Sequence, residues 1–347
     1  MCIRDSPIAQ DIPEYMELCN KGLYGPALKL ITEKNPLPFL TGTICAHRCQ
    51  TKCSRNFYDE SVRIRDTKLL AAQKGYNALM ASIKLPERVA GKKVAIIGGG
   101  IGGMECALVL KQRGHTPVIF EKTSELGGLY ITASAMSFKE ADKALLRWYE
   151  RELKKNDIEV RFNMEINAPA TLRREFDEII VCTGSHPKTL PVKGFNKTIN
   201  FTQLLLNQVD AGDRIVFFGG GQSSCEAAYE MVLQGKHPII VEYADDLIAT
   251  PGTCLANASF LREMLAFKKV PVYLNATITE IGDGFVMVKQ QDGTEIRIEC
   301  DSVVNGIGFV PAPIAADDHK VYRVGTCEKW GNLRNVIWGA WDVCMHI

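Results

Sequence analysis

Lys93-Val94-Ala95-Ile96-Ile97-Gly98-Gly99-Gly100-Ile101-Gly102-Gly103 is echoed by Arg214-Ile215-Val216-Phe217-Phe218-Gly219-Gly220-Gly221-Gln222-Ser223-Ser224. A short apolar run bounded by glycines reads as a buried strand, and the periodic stretches beyond the glycines, Met104 to Arg113 and Cys225 to Leu233, read as helices. Each helix leads to a second apolar run, Pro117-Val118-Ile119-Phe120-Glu121 and Pro238-Ile239-Ile240-Val241-Glu242. Gly98 and Gly219 are 121 residues apart, and so are Glu121 and Glu242. Further on, Ile158–Asn163 matches Val270–Asn275, and Asp177–Gly184 matches Asp301–Gly308. A lone glycine signature arises often by chance. Two full sets in the same order mark an internal repeat and predict an α/β chain with two Rossmann-like dinucleotide-binding domains.

The chemistry follows from the glycines. The first permits the tight turn, the second lets a pyrophosphate approach the backbone, and the third lets helix and strand pack closely. Free amide groups and the positive end of the helix dipole then attract the anion. Gly98, Gly100 and Gly103 fill all three positions in the first unit, with Gly99, Ile101 and Gly102 between them. In the second unit Gly219 and Gly221 fill two, Gln222 and Ser223 come next, and Ser224 takes the third place as a small variant. Glu121 and Glu242 each lie 23 residues after the first glycine, near the spacing of about 20 at which an acid accepts hydrogen bonds from a ribose. A carboxylate at Glu242 would repel the additional phosphate of NADP, so NADH is expected over NADPH. The alternative for each acid is a strand-end residue in solvent.

Composition excludes several classes. Among 347 residues, 41 basic side chains face 40 acidic ones, so no overall basic excess points to nucleic acid. No uninterrupted apolar run reaches the roughly 18 residues a membrane helix needs, and a soluble, cytoplasmic protein is expected. Nine of the 12 cysteines are scattered; those in apolar runs, such as Cys106, Cys182 and Cys344, read as small buried hydrophobes. The six histidines are scattered too. No catalytic triad or metalloprotease motif is present, nor any C-x-x-C or C-x4-C pair, which argues against disulfide reduction at a flavin. No catalytic side chain is assigned. Met1-Cys2-Ile3-Arg4-Asp5-Ser6 resembles a translated adapter with no part in the fold, which places the native start near Pro7.

Cys45, Cys49 and Cys53 stand apart from the other cysteines. On a helix, residues four apart share a face, drifting about 40° per step. Three convergent thiolates suit an iron–sulfur cluster. Structural zinc, which favours paired cysteines, and plain buried thiols are the alternatives. Around them, residues 7–88 read as a small helical domain broken at Asn35-Pro36-Leu37-Pro38, where proline cannot continue a helix. Leu85-Pro86-Glu87-Arg88-Val89-Ala90-Gly91 reads as a linker. The remainder divides into 89–205 and 313–347 for the first nucleotide domain and 206–312 for the second.

Resemblance adds to this reading. Glu121 followed by Leu126-Gly127-Gly128 resembles the first nucleotide unit of two-dinucleotide flavoproteins, which implies that Glu121, Lys122, Gly127 and Gly128 lie at FAD. It also implies a disulfide-reductase-like arrangement of the two domains. Thr183-Gly184 and Gly306-Ile307-Gly308-Phe309-Val310-Pro311 resemble the two crossings between domains. Val321-Tyr322-Arg323-Val324-Gly325-Thr326-Cys327 resembles the segment that closes over the flavin ribityl chain, with Thr326 in place of the usual aspartate. Asn35 to Tyr76 is similar to the N-terminal domain of the glutamate synthase small subunit and dihydropyrimidine dehydrogenase. Through Asn35–Cys45 and Cys53–Tyr58 it also resembles the selenate reductase FAD subunit. Gly331-Asn332-Leu333 and Ala340-Trp341-Asp342 resemble 2-enoate and 2,4-dienoyl-CoA reductases.

The resemblance implies FAD in the first unit, a nicotinamide dinucleotide in the second, and 4Fe-4S clusters whose other cysteines lie upstream. Pro7–Pro13 resembles the stretch following the last of those, so incomplete clusters are expected on these 347 residues; iron analysis giving a stoichiometric four-iron centre would contradict this. The expected activity is NADH-dependent flavin reduction, with electrons passed to clusters and to a partner subunit or fused domain. The alternative is an electron-transfer subunit without substrate chemistry of its own.

Overall fold

The computed structural model describes residues 8–45, 47–83, 87–89, 91–250, 253–314 and 321–347. The adapter-like residues, Pro7, and Leu85, Pro86 and Ala90 of the expected linker lie outside the described residues. The chain divides into two compact units, Met1–Lys84 with Leu247–Val270, and Leu85–Asp246 with Pro271–Ile347.

The first unit is helical. Ile12–Asn20 starts where the Asp11 side chain accepts from the Glu14 amide and Pro13 occupies the first turn, the position where a missing N–H costs nothing. Tyr24–Thr32 crosses the long helix Ile64–Ser82 closely enough that a Cβ added at Gly75 would sit 2.3 Å from the Tyr24 carbonyl oxygen. Tyr15, Cys19, Ala27, Ile31, Ile64 and Ala71 form the core. At the proline break, Asn35 accepts from the Leu37 amide and donates to Thr41 Oγ1. Helix Leu255–Phe267 belongs to this unit although it lies within the second repeat in sequence; its Glu263 pairs with Arg48.

The second unit holds fourteen strands among the described residues: β1 Lys93–Ile97, β2 Thr116–Phe120, β3 Glu159–Arg161, β4 Glu178–Val181, β5 Ser185–Pro187, β6 Arg214–Phe218, β7 His237–Val241, β8 Val272–Tyr273, β9 Ala276–Ile281, β10 Phe285–Gln290, β11 Glu295–Glu299, β12 Ser302–Asn305, β13 Phe309–Pro311 and β14 Val321–Arg323. One sheet has the order β14-β4-β1-β2-β3 and another the order β12-β6-β7-β8. Both are parallel throughout. Register repeats with the sequence: Lys93 pairs with Thr116, and Arg214 with His237. Burial is nearly continuous along β1 and β6, as expected of parallel strands covered on both faces. An antiparallel meander β9-β10-β11 packs on the second sheet through Ile278, Val286 and Val288. The antiparallel pair β5-β13 joins the crossing segments at Ser185–Pro187 and Phe309–Pro311.

Helix starts differ from the sequence reading. The first begins at Ile101 and the second at Gln222, three residues earlier than expected in each case, with Gly100 and Gly221 as extended N-caps. Glycine and serine are poor helix formers, and packing against the strand end overrides their propensity. No helix among the described residues is long and apolar enough to cross a membrane.

Candidate dinucleotide sites and cysteine segment

Each glycine turn is tied down by its own strand-end acid. Gly98 turns with φ +111°, and a Cβ there would stand 2.5 Å from the Cys182 carbonyl oxygen. Gly219 repeats this with φ +108° and 2.6 Å to the Gly306 carbonyl oxygen. Glu121 Oε2 accepts from the Gly99 amide at 2.7 Å, while Oε1 accepts from the amide and hydroxyl of Thr123 at 2.8 Å each. Glu242 accepts from the Gly220 amide through Oε2 and from the Ala244 amide at 2.7 Å through Oε1. The contacts share the 121-residue offset of the sequence repeat. A carboxylate offers about four acceptor sites; three are used at Glu121 and two at Glu242, which leaves capacity for ribose hydroxyls at both.

Most of the other residues expected at the first site gather near the carboxyl ends of β1, β4 and β14, where open α/β sheets bind ligands. Gly127 donates its amide to the Gly99 carbonyl at 2.9 Å, and a Cβ on Gly128 would lie 3.4 Å from the Gly100 Cα. Lys122, next to Glu121, is exposed. Thr183 Oγ1 donates to the Ala312 carbonyl at 2.7 Å, and a Cβ on Gly184 would stand 3.8 Å from Thr326 Oγ1. Gly325 begins the short helical turn after β14. In the second repeat Gly306 lies beside Gly219, and the Gly308 carbonyl accepts from the Lys188 amide. Ser224 is buried, with Oγ 3.5 Å from the Gly306 oxygen. Cys106, Cys182 and Cys344 are all buried; burial pushes the Cys106 thiol well up.

This geometry fits two dinucleotides on grounds internal to the chain. Extended glycine N-caps leave first-turn amides facing out of the helix. A side chain at Gly98 or Gly103 in the first turn, or at Gly219 in the second, would collide with backbone, so each turn is kept bare where its strand ends. Sequence reasoning missed a polar bridge between the repeats: Lys139 Nζ to Glu226 Oε2 at 2.6 Å, and Ser137 amide and hydroxyl to Glu230 Oε2. Its only sequence signal is the i, i+4 pair Glu226 and Glu230 on the helix that starts at Gln222.

The cysteine segment departs from the single-helix expectation. Cys45 is extended after helix Pro38–Ile44, His47 is left-handed with φ 44°, Cys49 sits in the one-turn helix Arg48–Thr51, and Cys53 is extended again. The left-handed residue breaks the helix that would have stacked the three thiols on one face. Among the described residues no group of three or more His, Cys, Asp or Glu side chains converges in a metal-sized cluster. The donor chemistry still favours thiolate at one position: backbone hydrogen bonds from Val62 and Arg55 pull the Cys53 thiol down. Burial pushes Cys49 up. Burial also lowers the Lys68 ammonium, opposed by Cys45, Cys49 and Cys254.

Comparison with known proteins agrees with this organisation. A family model described as pyridine nucleotide-disulphide oxidoreductase matches residues 69–174 and 92–327, and one described as dihydropyrimidine dehydrogenase domain II, 4Fe-4S cluster, matches residues 1–78. The cinnamate reductase of Clostridium sporogenes is 33% identical over 263 residues, covering 74% of this chain and 39% of that protein. The glutamate synthase [NADPH] small chain of Bacillus subtilis is 27% identical over 261 residues, covering 67% and 52%. The solved 2-naphthoyl-CoA reductase in complex with 2-naphthoyl-CoA has a TM-score of 0.69 at 25% identity, covering 79% of this chain and 42% of that one. The chain thus spans about half, or less, of the length of these relatives. It belongs to the pyridine nucleotide-disulphide oxidoreductase family, whose paired nucleotide units take FAD and NAD(P)H.

Proposed function

We propose that the first glycine turn seats FAD, the second seats NADH, and the chain oxidises NADH to feed electrons onward. The carrying observation is the duplicated turn, in which acid, glycine amide and helix start recur at one offset. Bound FAD supplies the chemistry, accepting a hydride from reduced nicotinamide and releasing electrons one at a time. The chain's contribution is binding and orientation. First-turn amides of helices Ile101–Arg113 and Gln222–Leu233 hold the two pyrophosphates. Glu121 and Glu242 accept ribose hydroxyls. Thr183, Gly184, Gly325 and Thr326 line the ribityl end of the first site, with the Thr326 hydroxyl as hydrogen-bonding group. Gly306 and Gly308 border the second.

The preference for NADH rests on Glu242 and on the next four residues, Tyr243-Ala244-Asp245-Asp246, which include no basic side chain to receive a second phosphate. Cys45, Cys49 and Cys53 are the candidate iron–sulfur ligands of the helical unit, supported by the family match over residues 1–78. A partner redox subunit or fused domain takes the electrons on, and the cytoplasm, where NADH is available, is the proposed location.

The test is the visible spectrum of purified protein before and after NADH is added without oxygen. Flavin absorption that bleaches with NADH is the expected result. Colourless protein that gains no colour on adding FAD refutes the first-site assignment. A flavin that stays oxidised in excess NADH refutes the second.

A further inference from the structure

We propose that a partly buried polar bridge couples the two dinucleotide sites, with Lys139 as a positioning residue for the nicotinamide dinucleotide. The proposal rests on the assignment of FAD and NADH to the two turns and goes beyond it.

The bridge begins two residues past Gly128. Tyr130 Oη donates to Asp142 Oδ1 at 2.7 Å; Asp142 is buried, and its Oδ2 has no hydrogen-bond partner among the described residues. Lys139 caps the helix Glu140–Lys155 that carries Asp142. Its ammonium reaches across to Glu226 Oε2 at 2.6 Å, with the two side chains only 14% and 16% exposed. Glu226 Oε1 in turn accepts from Gln222 Nε2 at 2.9 Å, and Gln222 is the first residue of the helix that starts at the second glycine turn. One turn further along that helix, Glu230 Oε2 receives both the amide and the hydroxyl of Ser137, at 3.0 and 2.8 Å. Phe138 packs on Tyr229 between them, ring centroids 5.7 Å apart. Three consecutive residues, Ser137, Phe138 and Lys139, therefore grip the nicotinamide-side helix by hydrogen bonds, ring and charge.

Such a bridge is costly to bury and adds little stability over an apolar contact of the same shape, but it tolerates only a narrow range of geometry. That suits orientation rather than adhesion. Ordering the Gly127-Gly128 side by FAD then orders the start of helix Gln222–Leu233, and thermodynamic linkage requires the effect to be equal in both directions.

The experiment measures the Kd of NAD+, which does not react with oxidised flavin, on FAD-loaded and FAD-stripped protein by calorimetry. The expected wild-type result is affinity about tenfold tighter in the loaded form, within the usual range of such couplings. Lys139→Met should bring the ratio close to one with FAD content unchanged, and Lys139→Arg should restore it. Amide hydrogen exchange at residues 222–226 should quicken in Lys139→Met without any ligand. If Lys139→Met does not fold, Glu226→Gln, which keeps an acceptor but removes the charge, reports the same coupling. A wild-type ratio of one, or an unaltered ratio in the variants while both ligands bind, overturns the bridge alone. Failure of either ligand to bind overturns the site assignment and the bridge with it.

Discussion

Gly103→Ala is expected to empty the first nucleotide site, whereas Ser224→Gly, the same position in the second repeat, is expected to leave its site working. A Cβ on Gly103 would stand 2.0 Å from the Gly98 carbonyl oxygen, 3.1 Å from its carbon and 3.2 Å from Ile96 Cγ2. Two of these atoms are backbone of the turn itself, so relief requires the helix start to move away from the strand, and first-turn amides move with it. A displacement of that kind in a packed interior costs roughly 3 kcal/mol or more, and FAD retention should fall well below one per chain. The second repeat carries its bulk differently. Where the first has Gly103 facing the backbone of its own turn, the second has Ser224 facing Gly306. A Cβ on Gly306 would meet Ser224 Oγ at 2.3 Å, so the strand-side glycine makes the room that the helix-side serine fills. Ser224→Gly therefore loses a small buried group and adds backbone freedom, together about 1 kcal/mol. Flavin absorbance per chain and urea midpoints check both. A Gly103→Ala protein with full flavin and an unshifted midpoint would refute the packing argument.

The repeat was legible in the sequence because the contacts obey the same offset as the letters: Glu121 with Gly99 and Thr123, Glu242 with Gly220 and Ala244. Both parallel sheets follow from it. The helix starts were less legible. Propensity argues against Gly102, Gly103, Ser223 and Ser224 as helix, while the demand for bare backbone at the strand end places them in the first turn. The cysteine spacing pointed to the iron–sulfur segment but not to its backbone, since a regular interval says nothing of a single left-handed residue, His47, inside it. Thr183 and Gly184 lay within the matched Asp177–Gly184 stretch, whereas Gly325 and Thr326 carried no spacing signal and were reachable only by resemblance, because strands from distant parts of the chain bring them beside Gly184. Beyond the spacing of Glu226 and Glu230, the bridge through Lys139 was not legible: its partners lie 87 and 93 residues apart in sequence, and no periodicity relates a loop to a helix on the neighbouring repeat.

Glu242→Ala is expected to shift dinucleotide preference toward NADPH by about 100-fold, the product of two roughly tenfold effects. On the proposed assignment the carboxylate accepts ribose hydroxyls of NADH, and losing charge-assisted hydrogen bonds costs about 1.5 kcal/mol, roughly a tenfold weaker Kd. The same assignment puts it where the additional phosphate of NADPH would lie. Unit charges about 4 Å apart interact by about 4 kcal/mol at an effective dielectric constant near 20, but Glu242 is only half-buried, and solvent and salt cut this to about 1–2 kcal/mol. Removing it therefore gains NADPH about another tenfold. The fold should survive, because water can reach the Gly220 and Ala244 amides that Glu242 now serves. Glu121 offers the contrast: it is 6% exposed, so Glu121→Ala would strand the Gly99 and Thr123 amides at about 1–3 kcal/mol each and should lose flavin without altering the NADH to NADPH ratio of the residual binding. Kd values for both dinucleotides on the two variants settle the roles. If Glu242→Ala leaves the ratio where it was, this acid does not touch the ribose, and the second turn needs a different occupant.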